Sequence, residues 1–254
     1  MDFKTILYEQ KGPVGLLTLN RPDCLNAVNF AMQAELASFF QTCLTDKETR
    51  VIVITGAGRG FCAGLDMNDP SITSPAEGYS PARAYELQRS YSDFILAMRH
   101  CPQPLVGAIN GAAAGAGFSI ALACDIRLAA TKAKFSAAYI NIGVGGADMG
   151  SSWLFPKAVG AGNAARYLYT GDLFDAAEAL RIGLVQSVIE PDAILDEALK
   201  LADNMAGKSP LGLKLTKEAL DVNAGAPSLE AAIRMEDRNQ ALCITQLLAP
   251  AKKH

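Results

Sequence analysis

The sequence predicts an α/β chain built on parallel strands and closed by helices. Apolar runs of strand length alternate with amphipathic helical stretches as far as residue 129, and parallel strands need such crossover helices. Two strand-length runs also lead straight into glycine-rich loops, at 56–66 and 110–119. Beyond Pro191 the periodicity is helical, so residues 1–191 read as an α/β core and 192–254 as a helical region.

The elements follow in order. Residues 5–9 and 14–19 are two strands joined by a turn at Lys11-Gly12-Pro13. Asn20-Arg21-Pro22-Asp23 breaks the pattern. In 29–44, Met32, Leu36, Phe39, Phe40 and Cys43 share one helical face. A β-branched strand at 50–55 opens the first glycine loop, and 67–81, with three prolines and no helical period, reads as a surface loop. Leu87, Tyr91, Phe94, Ile95 and Met98 mark an amphipathic helix ending near His100. The central stretch LVGAINGAAAGAGFSIALACD follows: a strand at 105–109, a Gly/Ala loop, and a small apolar helix at 118–123. Such a loop brings a ligand close to the backbone and aims the free amides of a helix N-terminus at it. A strand at 126–129 and a third glycine-rich turn, 143–150, come next. Ile194, Ala198, Leu201 and Met205 stripe one late helix, while Ser209-Pro210 and Ser228 are N-caps of two more.

Composition narrows the function. The chain has 254 residues, half of them hydrophobic and 19% charged, enough for one large domain or a domain with an appendage. A net charge of −3 without a Lys/Arg block argues against nucleic acid or a membrane surface as partner. No apolar run reaches membrane-spanning length and MDFKTILYEQ lacks a signal-peptide core, so a cytoplasmic location is expected. Six cysteines are scattered without a CxxC pair and read as small buried hydrophobes. Histidine is confined to His100 and His254, which removes most zinc sites and most Ser–His or Cys–His catalysis, and no metal is expected.

Several candidate chemistries can be weighed on this basis. Gly58-Arg59-Gly60-Phe61-Cys62-Ala63 fits a dinucleotide fingerprint, but Pro70 and Pro75 occupy the stretch where its long helix should run. Gly117-Phe118-Ser119-Ile120-Ala121 is a weakened nucleophile elbow that lacks a suitable histidine. Asp148 lies among glycines and apolar residues in GVGGADMGSSW. It is either an acid/base group with a raised pKa or a helix cap bonding the amides of Gly150 and Ser151. Asp66 and Asp125 each flank a glycine loop and read as structural. Two loops that each follow a strand can present backbone amides to one oxyanion, as carbonyl or thioester chemistry requires.

The stretches LTLNRPDCLNAV, VIVITGAGRGFCAGLDM, LVGAINGAAAGAGFSIALACDIRLAA, YLYTGDLFDAAEALRIGLVQSVI and KSPLGLKLTKEAL resemble, in order and spacing, the enoyl-CoA hydratase/isomerase (crotonase) family. The resemblance implies a crotonase-like spiral of ββα units with a C-terminal helical trimerisation region, assembled as a homotrimer or a hexamer (dimer of trimers). It implies an acyl-CoA thioester substrate, with CoA as part of the substrate and no separate cofactor. The thioester oxygen would sit between the amides of Leu65 and Ala116. Backbone around Ala63, Asp66 and Met67, together with Cys24 and Leu25, would line the CoA path. Ser119 and Tyr139 occupy the positions of the two glutamates of family hydratases and would shape the pocket or hold a water. Asp148 falls where dienoyl-CoA isomerases, and similarly some dehalogenase and hydrolase members, place an acid. That match favours a single acid/base Asp148 and isomerase-type proton transfer. An atypical hydratase using Asp148 to activate water, and a non-catalytic acyl-CoA-binding member, are the alternatives.

Overall fold

The computed structural model describes residues 3–73, 78 and 80–249. The chain opens with a hairpin of β1 (Ile6–Lys11) and β2 (Val14–Leu19), in antiparallel register with Ile6 opposite Leu19. Pro22–Cys24 forms a short 3₁₀ turn where the pattern breaks. Helix α1 (Phe30–Cys43) starts at Asn29, whose side chain accepts from the Met32 amide. β3 (Val51–Gly56) precedes α2 (Pro70–Thr73) and α3 (Pro81–His100). The loop expected at 67–81 therefore contains one short helix, and residues 74–77 and 79 lie outside the described residues. β4 (Leu105–Ile109), β5 (Ala113–Ala114), α4 (Ala116–Ala123) and β6 (Ile126–Ala130) form the centre. α4 begins two residues earlier than its apolar pattern suggests, because Ala116 and Gly117 carry no side chain long enough to mark a face.

β7 (Lys134–Ser136), α5 (Ser151–Val159), α6 (Ala161–Thr170), β8 (Phe174–Asp175), α7 (Ala176–Arg181) and β9 (Ser187–Ile189) follow. The helical end comprises α8 (Ile194–Ala206), α9 (Pro210–Asn223) and α10 (Leu229–Leu248). Ser209 and Ser228 cap the last two, accepting from the amides of Gly212 and Ala231.

Among the described residues the main sheet runs β1-β2-β3-β4-β6-β9, parallel after the hairpin. One face is covered by α1, α3 and α4, where Met32, Leu36, Phe94, Met98 and Phe118 are buried in one cluster. The other face is covered by α8, whose Ile194, Ala198, Ala202 and Ala206 recur every four residues and pack with Val14, Val51, Val53, Val106 and Leu128. A second sheet, β5-β7-β8, lies beside it. There Phe174 meets Tyr167 at 4.2 Å between ring centroids, and Phe118 meets Phe155 edge-on at 5.0 Å. This aromatic cluster joins α4 to α5, α6 and β8.

Lys217 of α9 is buried and donates to the Gln103 carbonyl at 2.9 Å. Its ammonium lies 3.1 Å from Asp125, which also pairs with Arg99 at 2.8 Å and accepts from the Leu105 amide. Asp125 is thus a structural joint between β4, α3 and α9. Cys43, Cys62, Cys101 and Cys124 are buried free thiols, and among the described residues no helix is long and apolar enough to cross a membrane.

Candidate active site

The two glycine loops are bolted to each other by main-chain bonds. The amides of Phe61 and Cys62 donate to the Ala112 carbonyl, and the Ala114 amide returns a bond to the Cys62 carbonyl at 3.0 Å. No side chain fits between them. A Cβ on Gly117 would stand 2.0 Å from the Cys62 carbonyl oxygen, and one on Gly111 2.2 Å from that of Arg59. The Gly/Ala composition of this stretch is therefore the condition for α4 to seat on the first loop.

That interlock brings two backbone N–H groups together. Gly64, at φ +115°, touches Gly115: a Cβ there would lie 3.8 Å from the Gly115 Cα. The next residues along the two segments are Leu65 and Ala116. Leu65 forms a parallel bridge with Val28 in which the Val28 amide donates to the Gly64 carbonyl and the Asp66 amide to the Val28 carbonyl. The bridge leaves the Leu65 N–H without an acceptor among the described residues. Ala116 opens α4, where the first amides have no intrahelical partner. Two adjacent free donors of this kind can stabilise an oxyanion.

The remaining predicted residues lie around the first loop and around α4. The Ala63 amide donates to the Leu25 carbonyl at 3.0 Å, so Cys24 and Leu25 sit beside the first loop. Asp66 pairs with Arg21 at 2.7 Å and accepts from the Asn68 amide, which makes its side chain a loop brace. Arg21 also donates to the Ala27 carbonyl, so this one guanidinium ties the 21–28 segment to the first loop. Ala63 and Met67 are exposed on the loop surface.

Ser119 and Tyr139 are both buried, and their hydroxyl oxygens lie 2.5 Å apart. The Tyr139 hydroxyl donates to the Gly115 carbonyl at 2.8 Å. Burial pushes the Tyr139 phenol far above its usual range, with the nearby Asp148 charge adding to the effect. The pair engages itself and the backbone.

Asp148 does not cap α5. The cap position belongs to Gly150 at φ +82°, without a side-chain bond, and the Asp148 carboxylate turns elsewhere. Its Oδ1 accepts from the Met149 amide at 2.7 Å and from Gln88 Nε2 of α3 at 2.5 Å. Its main-chain carbonyl lies 3.4 Å from the Ser119 hydroxyl and accepts from the Ser151 amide. Partial burial raises the Asp148 pKa, and the Met149 and Gln88 bonds oppose that rise. Asp148 is the acid of this neighbourhood with no cationic partner among the described residues; Asp66 has Arg21.

A family model for enoyl-CoA hydratase/isomerase matches residues 9–247. The chain belongs to this family. A Mycobacterium leprae protein named probable enoyl-CoA hydratase echA12 is 39% identical over 228 residues, covering 89% of this chain and 78% of its own. The 1,2-epoxyphenylacetyl-CoA isomerase of Escherichia coli K12 is 36% identical over 244 residues, covering 95% of this chain and 90% of that one. A crystal structure of a probable enoyl-CoA hydratase/isomerase from Mycobacterium abscessus matches with a TM-score of 0.87 at 36% identity, covering 96% of this chain and 91% of that chain. The crotonase-like α/β fold expected from the motifs is the one observed, and the protein is an enzyme of the hydratase/isomerase family.

Three groups at the candidate site carry no signal in the sequence. Gln88 is an exposed residue on a helix 60 positions from Asp148. Arg21 looked like part of a pattern break. The Gly115 carbonyl had no signal of its own, although its position one residue before the expected Ala116 donor marks the peptide to inspect.

Proposed function

We propose that the enzyme moves a proton between carbons of an acyl-CoA thioester through an enolate, as in double-bond isomerisation. The Asp148 carboxylate takes a proton from carbon, and the charge passes to the thioester oxygen, which accepts from the Leu65 and Ala116 N–H groups. The protonated Asp148 then returns its proton at a second carbon, so the product has the composition of the substrate. One observation carries this reading: the turn that meets α4 at Ser119 holds one carboxyl group, Asp148, with uncharged partners and a pKa raised by burial, while α4 itself opens with a free backbone donor. Ser119 and Tyr139, engaged with each other, leave no second carboxylate to handle a water. Leu25, Ala63, Asp66 and Met67 lie along the loop that would take the CoA moiety, beside Cys24. The exposed Leu229, Ile233, Leu242, Ile244, Leu247 and Leu248 of α10 suit the homotrimer or hexamer implied by the family.

Hydration is the second reading, favoured by the names of several relatives, with Asp148 as the base for water. Incubation in heavy water with 2-enoyl- and 3-enoyl-CoAs, followed by product masses, separates the two. Isomerisation without a gain of water mass is expected, with deuterium entering the product to the extent that the half-buried, protonated Asp148 exchanges with solvent before it returns a proton. Gain of a water mass would replace isomerisation by hydration.

A further inference from the structure

We infer that Tyr139 is a positioning residue for the Ala116 N–H: its hydroxyl, backed by Ser119, fixes and polarises the Gly115–Ala116 peptide. The inference rests on the reading of Ala116 as an oxyanion donor and assigns a task to two buried hydroxyls that move no proton in it.

The protons can be counted. The Gly115 carbonyl accepts from the Ser119 amide at 3.0 Å, closing the first turn of α4, and from the Tyr139 hydroxyl at 2.8 Å. Both of its lone-pair directions are then engaged. The peptide unit is planar, so fixing this carbonyl fixes the N–H on its other end, which belongs to Ala116. With the phenol proton on Gly115, the 2.5 Å contact between the two hydroxyls needs Ser119 as donor. The order is Ser119 to Tyr139 to the Gly115 carbonyl, and through the peptide to the Ala116 N–H. Donors on a carbonyl strengthen the donor at the other end of the same amide. The reverse order would send the Ser119 proton to the Asp148 carbonyl at 3.4 Å and leave the Gly115 bond unmade, so the distances favour the first. Both side chains are buried, at 0% and 5% exposure, so bulk water does not compete for these bonds.

Gly115 itself supports the assignment. It sits at φ +49° before α4, with no side chain and no capping side-chain bond. Its peptide plane is therefore held from outside, and the phenol is the side chain that reaches it.

The test uses the intact enzyme with cinnamoyl-CoA carrying ¹³C at the thioester carbonyl, read by difference infrared spectroscopy in wild type, Tyr139→Phe and Ser119→Ala. Wild type should lower the carbonyl stretch of the bound ester relative to free ester. Tyr139→Phe should lose about half of that lowering and about tenfold in kcat, with Kd for the ester changed less than about twofold. Ser119→Ala should move the band the same way by less. An unchanged band in Tyr139→Phe overturns the inference while leaving the oxyanion reading intact. No lowering in wild type, with ester bound, overturns that reading and this inference with it. If Tyr139→Phe does not fold, Ser119→Ala decides: a band that moves part of the way back supports the relay, and an unmoved band refutes it.

Discussion

The proposed site has two halves held in different ways. The donor half, Leu65 and Ala116, is placed mainly by backbone, with the Tyr139 hydroxyl added on the Gly115 carbonyl: carbonyls and amides of 60–64 and 111–116 bond each other across gaps with no room for a Cβ. The acid half, Asp148, is placed by side chains, with Gln88 of α3 and the amide of its own neighbour fixing one carboxylate oxygen. Backbone interlocking tolerates no substitution but is indifferent to charge. Side-chain placement tolerates shape changes but sets the pH at which the group works. Damage to the first half should therefore appear as lost folding and lost activity together, and damage to the second as a shifted pH profile.

The largest effect should come from Gly117→Ala. Its methyl would fall 2.0 Å from the Cys62 carbonyl oxygen, so α4 must move off the first loop. We expect about 3 kcal/mol of destabilisation in urea unfolding, with a loss of turnover that persists below the unfolding transition. A folded, fully active variant would separate the interlock from the donors.

Asp125→Ala sharpens the contrast from outside the site. It leaves the largely buried Lys217 and Arg99 without their shared carboxylate, and should cost about 2 kcal/mol after allowance for partial solvent screening. The pH profile of kcat/KM should stay in place.

Gln88→Leu should do the reverse. Losing this donor removes a bond that favours the charged Asp148, so the acid limb of kcat/KM should move to higher pH while stability changes little. Because the native pKa of Asp148 is raised above that of the unfolded chain, its contribution to stability is full at low pH and is lost as pH rises through the native value. Asp148→Asn should flatten that part of the stability profile, as chemical denaturation across the pH series would reveal.

Much of this was legible in the sequence. The strands at 14–19 and 105–109, α1, α3 and the caps at Ser209 and Ser228 follow from periodicity and capping chemistry, which are local. The two-residue strands β5 and β8 carry no readable period because they are too short for one, and their form comes from pairing with β7. The glycines of the two loops announce close backbone approach, while naming Leu65 and Ala116 as the donors rests on the family resemblance. Asp148 is readable as two alternatives, and the carboxylate's bonds to Met149 and Gln88, with no side-chain cap on α5, remove the capping one. Its partner Gln88 could not be read, since a surface residue on α3 carries no local sign of a contact 60 positions away.

The most direct measurement is turnover of a 3-enoyl-CoA by Asp148→Asn beside wild type, with CoA-ester binding measured in parallel. The account predicts a fall of at least about a hundredfold in kcat, with Kd within about threefold, since the backbone donors are untouched. Unchanged turnover by Asp148→Asn would contradict it.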